Sequence, residues 1–120
     1  MARLSRRAFL AAVTAPLAIP GTARADEDDR AVLNFALLLE YVQEGFHTEA
    51  LSRAKLTGDL KAFAATVAAQ EQEHIAFLRK ALGPAARKPP KLDFGDDTSD
   101  PDKYSLAAFK LEDLGVVALR

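Results

Sequence analysis

Three glutamates and a histidine stand within otherwise apolar helical stripes of this 120-residue chain. An α-helix turns about 100° per residue, so residues three, four and seven apart share a face. By that spacing Glu40 lies on the apolar face of a first predicted helix. Glu71 and His74 lie on the apolar face of a second predicted helix, and Glu112 lies on the apolar face of a third. Since charged side chains are rarely buried unless they are paired or bind a metal, the helices are expected to bring these groups together.

Each apolar stripe is interrupted by polar residues near its middle. The three stripes read Leu33, Ala36, Leu37, Glu40, Glu44, His47, Leu51 and Ala54; then Phe63, Val67, Glu71, His74, Ile75, Leu78 and Leu82; then Ala108, Phe109, Glu112, Val116 and Leu119. Glu73 and Asp113 fall off these stripes, and Glu73 is predicted to be solvated.

Burying several carboxylates together costs many kcal/mol unless a cation neutralises them. In helical bundles, a glutamate from one helix and a Glu-x-x-His from another form half of a dinuclear carboxylate centre. The chain has no cysteine, so a metal would use oxygen and imidazole donors, which suit iron, manganese or zinc better than copper(I). The pattern predicts a mononuclear or dinuclear site of iron or manganese with the ligands Glu40, Glu71, His74 and Glu112.

Ordinary structural roles compete with this prediction. Glu-x-x-His is a short motif, and Glu71 with His74 could form a surface pair or a polar network in the core, as could Glu40. For Glu44 and His47, positions beside the site or in solvent are the better interpretation, and their roles stay open. Tyr41 is predicted to pack in the core or at its boundary.

Two predicted helices form an antiparallel hairpin. The acidic run that begins at Asp26 favours a helix start, and the helical pattern continues to Leu56, where Thr57-Gly58 is expected to stop it. Asp59 is expected to cap a second helix that runs to Leu82, ahead of Gly83-Pro84. The short connection between them requires antiparallel packing.

A long connection separates this hairpin from a third helix. Residues 83–102 are rich in proline, glycine and aspartate and show no periodic pattern. Asp100-Pro101-Asp102 then resembles a helix start, with the helix expected from about Lys103 onwards. The predicted fold is therefore all-α, with one crossover connection.

The first 25 residues are predicted to be an export signal. Arg6-Arg7 precede an apolar run from Ala8 to Ile19, and Ala23-Arg24-Ala25 has the small-x-small order of a cleavage site. The paired arginines resemble a twin-arginine signal, which implies a periplasmic or secreted protein. We expect cleavage after Ala25 and a mature domain of residues 26–120. The alternative is an amphipathic first helix of the mature fold.

The charge balance argues against a nucleic-acid partner. Four of the 16 basic residues and no acidic ones lie in residues 1–25, so residues 26–120 hold 12 basic and 17 acidic residues, a net charge of −5. An acidic domain repels nucleic acid and anionic lipid. The apolar run near the N-terminus is shorter than the roughly 20 residues of a membrane-spanning helix, so no stable span is expected after cleavage.

Three segments resemble ferritin-like domain proteins that carry twin-arginine signals: Leu33–Tyr41, Glu71–Arg79 and Leu111–Val116. The resemblance covers nearly all of the mature chain, in order. It implies a ferritin-like helical bundle with Glu40, Glu71, His74 and Glu112 as ligands. The wider superfamily includes iron-storing ferritins, rubrerythrins and manganese catalases, so oxygen or peroxide chemistry would follow from a complete dinuclear centre.

The chain departs from that family after Glu112. The family pattern continues into a fourth helix with another Glu-x-x-His, and we expect both to be lacking here. The chain would then be a fragment, a degenerate relative with one metal or none, or a protomer whose homodimer completes the site. A metal-free structural or stress-related helical module is the rival function, and whether the protein is an enzyme stays open.

Overall fold

The computed structural model describes residues 26–118, and the side chains of residues 26–111. Over this span it contains α1 (Glu27–Arg53), α2 (Gly58–Leu82) and α3 (Pro101–Ala118), and no strand. The all-α prediction is confirmed. The predicted export signal lies outside the described residues. Of the helices that are described, none is long and apolar enough to cross a bilayer.

The helices α1 and α2 pack antiparallel, as predicted. Glu44 accepts a hydrogen bond from Gln72 at 3.3 Å, whereas His47, further along α1, meets Phe63 with ring centroids 6.0 Å apart. Contacts thus move towards the start of α2 as they move towards the end of α1. This register places the middle of each helix opposite the middle of the other.

The first helix ends three residues earlier than predicted, at Arg53. The chain turns at Lys55, whose φ of +52° is left-handed, rather than at a glycine. Leaving the helix here allows Leu56 to be buried at 5% exposure against Ala50 and Tyr104. Burial of that side chain accounts for the early stop, because apolar surface removed from water stabilises the fold.

The start of α2 also differs from the prediction. Thr57 is the N-cap residue, although its side chain makes no capping hydrogen bond, and Asp59 lies in the first helical turn. There Asp59 stabilises the helix through the macrodipole rather than as a cap. Gly58, expected to end the first helix, instead begins the second with a φ of +58°.

The long connection is tied to α1 near its start. Asn34 donates from Nδ2 to the Ala85 carbonyl at 3.0 Å and accepts from the Arg87 backbone N–H at 3.0 Å. The Tyr41 hydroxyl donates to the Arg87 carbonyl at 3.0 Å. Tyr41 is 5% exposed, which agrees with the predicted packing role. These bonds satisfy backbone groups of a segment that has only 3-10 turns, at Gly83–Ala85 and Gly95–Thr98.

A second set of contacts ties the connection to the end of α1. The fully buried Thr98 donates to the Glu49 carboxylate and accepts from Arg53 at 3.1 Å. Arg53 also donates to the Gly95 carbonyl at 3.2 Å. Together the two sets of contacts bring the chain back across the hairpin, so that α3 starts beside the end of α1.

The third helix begins where the sequence indicates. Asp100 caps it by accepting from the Lys103 N–H at 2.9 Å, and Pro101 is its first residue. Its inward face differs from the prediction, because Phe109 is 42% exposed. The buried anchor is Tyr104, at 0% exposure, with Leu111 partly buried on the same side.

Tyr104 joins α3 to α1 through a buried polar contact. Its hydroxyl lies 2.7 Å from His47 Nδ1, and its ring stacks on Phe46 with centroids 5.3 Å apart. Both Tyr104 and His47 are fully buried. A phenol and an imidazole thus satisfy each other inside an otherwise aromatic cluster, which fixes the position of α3.

Replacing Tyr104 with phenylalanine removes the hydroxyl and keeps the ring, so the contribution of each to stability can be measured separately. We expect Tyr104→Phe to lower the free energy of unfolding by about 1–3 kcal/mol, because a buried imidazole loses a hydrogen-bond partner. Tyr104→Ala should cost about 3–5 kcal/mol through the added cavity. Urea denaturation measures both. Leu106→Ala, at an exposed position of the same helix, is the control. A Tyr104→Phe variant with an unchanged free energy of unfolding would contradict this account.

Candidate metal centre

A polar layer separates two hydrophobic clusters of the hairpin. One cluster consists of Leu33, Ala36, Leu37, Tyr41, Leu78 and Leu82. The other consists of Phe46, Ala50, Ala54, Leu56, Ala64 and Tyr104. Between them α1 buries Glu40, Gln43 and His47, and α2 buries Glu71. The apolar residues on either side hold the two helices together at fixed register and so position the polar groups.

Glu40, Glu71 and His74 converge in this layer. One donor atom from each lies within 4.8 Å of the others. His74 Nδ1 is 3.6 Å from the Glu40 carboxylate and 3.8 Å from the Glu71 carboxylate. Both glutamates are fully buried, whereas the His74 side chain is 20% exposed. The site is therefore buried at the two glutamates and reaches the surface at the histidine.

The convergence leaves polar atoms unsatisfied. Among the described residues, neither carboxylate oxygen of Glu40 has a hydrogen-bond partner, and His74 Nδ1 has none. An unsatisfied buried polar atom costs about 1–3 kcal/mol, and more when the group is charged. Two buried carboxylates at this separation also repel each other. A bound cation would satisfy the oxygens and the nitrogen together.

The donor set fits a metal of intermediate hardness. Carboxylate oxygen and imidazole nitrogen suit iron, manganese and zinc, and none of the three converging side chains contains sulfur. Two carboxylates match the charge of one divalent ion. The residues thus fit the metal that the sequence predicts, with His74 placed where a small molecule from solvent could approach.

The structure brings together three of the four predicted ligands. Glu112 belongs to α3, but its side chain lies outside the described ones, so its role as a ligand stays a prediction. Glu73 is exposed beside the centre, as predicted, because it points away from α1.

A second Glu-x-x-His is present after all, in α1. Glu44-Gly45-Phe46-His47 has that spacing, so the expectation that the chain lacks another such motif is wrong. Its two ends do not converge on the centre. Glu44 is half-buried and accepts from Thr48 at 3.0 Å as well as from Gln72, and His47 contacts Tyr104. In the described part of the chain, Glu40, Glu71 and His74 form the one group that could hold a metal.

Sequence reasoning missed Gln43 in the polar layer and also Tyr104, a member of the second hydrophobic cluster that contacts His47. Gln43 is 3% exposed and follows Glu40 by three residues, so helical spacing could have identified it. Tyr104 gave no comparable signal, because its partner His47 lies 57 residues earlier and only the path of the long connection brings them together.

The fold is an all-α helical bundle built on an antiparallel hairpin, with a buried carboxylate–histidine group of the kind that can hold a metal. The model of the ferritin-like domain family matches residues 28–120, and the chain belongs to that family. No curated protein and no solved structure matches the chain. Fold and family therefore agree.

The unsatisfied carboxylate gives a test without metal. We expect Glu40→Met to raise the unfolding free energy of the metal-free protein by about 1–3 kcal/mol, because an apolar side chain of similar size replaces an unsatisfied carboxylate that lies beside a second one. Chemical denaturation with a chelator present measures it. Glu73→Met on the exposed face should change stability by less than about 0.5 kcal/mol. A destabilised Glu40→Met variant would mean that this carboxylate has a favourable partner in the metal-free state.

Proposed function

We propose that this protein is an exported ferritin-like protein that binds iron or manganese through Glu40, Glu71 and His74. The observation that supports the proposal is the convergence of two fully buried carboxylates and an imidazole within 4.8 Å. Both oxygens of Glu40 lack a hydrogen bond from any described residue. Such an arrangement is unfavourable without a cation and favourable with one.

The chain's own residues have distinct parts in this function. Glu40 and Glu71 supply the charge, and their burial strengthens the attraction for a cation by excluding water. His74 supplies a nitrogen donor at the exposed edge. Iron or manganese in such a carboxylate-rich centre supports chemistry with oxygen or peroxide. Glu112 on α3 is proposed as a further ligand, in keeping with the sequence pattern.

We infer that two copies complete a dinuclear site. One hairpin brings to the centre Glu40 and a single Glu-x-x-His, that of Glu71 and His74, and a dinuclear centre in a bundle needs two such sets. A two-fold axis beside His74 would bring the second set from another copy.

The surface supports this arrangement. Large apolar side chains are exposed on all three helices: Val32, Phe35, Leu38, Phe63, Phe77, Leu106 and Phe109. Phe77, at 47% exposure, follows His74 by three residues and therefore shares its side of α2. Apolar surface continuous with the open edge of the site favours contact with another chain there.

Metal content and molar mass test the function together. The mature protein, purified from the periplasm without added metal, is expected to be a dimer with about one iron or manganese ion per chain. Elemental analysis and light scattering on one sample measure this. Glu40→Ala and His74→Ala should lose the metal, because each removes a donor from the cluster, and Glu73→Ala should keep it.

The possible outcomes separate the functions. A metal-bound monomer would contradict the shared dinuclear site and leave metal binding in place. A metal-free protein that folds normally would contradict metal binding and favour the structural or stress-related module.

The export route has its own test. Replacing Arg6 and Arg7 together with lysine should leave the uncleaved precursor in the cytoplasm, because twin-arginine signals depend on the arginine pair. Cell fractionation and the N-terminal sequence of the product measure it, and the exported form should begin at Asp26. Arg24→Lys, outside the pair, is the matched control. Undiminished export of the double variant would contradict the twin-arginine assignment.

A further inference from the structure

A groove of about 530 Å³ lies between the first half of α1 and the long connection. Its apolar walls include Phe35 and Leu38 of α1 and Pro90 of the connection. Sites for small organic molecules have volumes of about 300–1,000 Å³ and mostly apolar linings. The groove is therefore large enough to take such a molecule.

The apolar wall on α1 faces away from the metal centre. At about 100° per residue, Leu38 points about 160° and Phe35 about 140° away from Glu40. Phe35 is 46% exposed and Leu38 is 42% exposed, and both line the same groove, so they form a continuous apolar patch. A two-fold contact beside His74 would leave this patch uncovered.

The charged residues around the groove are all basic. Arg30, Arg87 and Lys88 line it, and no acidic residue with a described side chain does. Residues 26–120 hold 12 basic and 17 acidic residues, so this lining runs against the composition of the domain. Arg87 and Lys88 form no ion pair with a described carboxylate. Neighbouring cations give a positive potential that attracts an anion.

The positive region continues into a neighbouring cavity of about 560 Å³. This cavity shares Arg30 and Ala85 with the groove and adds Lys80 as a further basic residue. The acidic first turn of α1, Glu27–Asp29, lines neither cavity. Basic side chains thus surround the end of the hairpin at which α1 begins and α2 ends.

Hydrogen bonds fix the backbone of Arg87 against α1. Its N–H donates to Asn34 Oδ1 at 3.0 Å, and its carbonyl accepts from the Tyr41 hydroxyl at 3.0 Å. Arg79 in turn donates to that hydroxyl at 3.3 Å. Since both backbone polar groups of Arg87 are bonded, a ligand that pairs with its side chain orders little additional chain, which favours affinity.

We propose that this groove binds a small organic monocarboxylate, with its apolar body on Phe35 and Leu38 and its carboxylate on Arg87. A guanidinium matches a planar carboxylate through two parallel hydrogen bonds, and Lys88 adds a positive charge. An inorganic anion would leave the apolar wall in water, so an apolar body improves the fit. The acidic domain as a whole repels an anionic membrane, so the ligand is a free molecule. Neither Glu40, Glu71 nor His74 lines the groove.

Calorimetric titration of the mature protein with 2-naphthoate tests the groove. We expect saturable binding with a Kd of about 1 mM or lower, the affinity typical of a ligand of this size. The neutral analogue 2-naphthamide should bind about tenfold more weakly or less. Arg87→Ala should weaken 2-naphthoate binding by about tenfold, because it removes charged hydrogen bonds and keeps the backbone bonds to α1. Lys61→Ala, at an exposed position of α2 outside the groove, is the matched control and should leave the Kd unchanged.

A second variant tests the apolar wall. Leu38→Ser should weaken 2-naphthoate binding by about 3–10-fold, because apolar contact with the ring system is lost. Leu106→Ser, at an exposed position of α3, is its control. Circular dichroism shows whether each variant retains the helices, and light scattering shows whether its molar mass changes. If Leu38→Ser alone turned a dimer into a monomer, the groove would be a contact between copies and the proposal would be overturned.

Other results would also overturn the proposal. Equal affinity for 2-naphthamide would show apolar binding without recognition of the anion, and equal affinity for inorganic phosphate would show a charge effect alone. Binding to phosphatidylglycerol vesicles without binding of 2-naphthoate would mean that the basic region contacts a membrane. An equal loss of affinity in Lys61→Ala and Arg87→Ala would mean that net charge, rather than the groove, attracts the ligand.

The His74→Ala variant separates the groove from the metal centre. It removes a metal donor and should bind 2-naphthoate with unchanged affinity, since His74 does not line the groove. Loss of 2-naphthoate binding in this variant would place the carboxylate at the metal centre and overturn the proposal, while metal binding would stand. A metal-free protein that still binds 2-naphthoate in the groove would contradict the proposed metal-binding function and support this one.

Discussion

The burial of carboxylates between two hydrophobic clusters is the constraint on which the rest of this structure depends. Apolar side chains above and below hold α1 and α2 in one register, and that register places Glu40 against Glu71 and His74. The clusters supply the stability that offsets the desolvation of the charges. Packed helices on both sides thus hold the three side chains of the candidate site in fixed positions.

The long connection places α3 against the same hairpin. Hydrogen bonds from Asn34, Tyr41 and Thr98 lead the chain across the hairpin, and the contact of Tyr104 with His47 fixes the helix that follows. His47, which ends the Glu-x-x-His motif of α1, makes this contact. His47 joins helices, whereas His74, with the same spacing from a glutamate, joins the candidate metal centre. Two Glu-x-x-His motifs thus have different roles because different residues surround them.

Much of the fold could be predicted from the sequence, since the helices and the three converging side chains follow from spacing on a helix and a short connection. The errors have physical causes. The first helix stops early because Leu56 is buried, and Phe109 is exposed because Tyr104 occupies the inward face of α3. Gln43 was overlooked because amides carry no charge, although the same periodicity that identified Glu40 applies to it.

The sequence by itself determined the helical pattern, the antiparallel hairpin and the placing of Glu40, Glu71 and His74 on inward faces. These are local properties, because periodicity acts over one or two turns of helix. Only the tertiary structure decided which polar groups meet. Tyr104 reaches His47 across 57 residues, and Glu44 turns to Thr48 and Gln72 instead of the centre. Such choices depend on the packing of all three helices at once, and no short stretch of sequence encodes them.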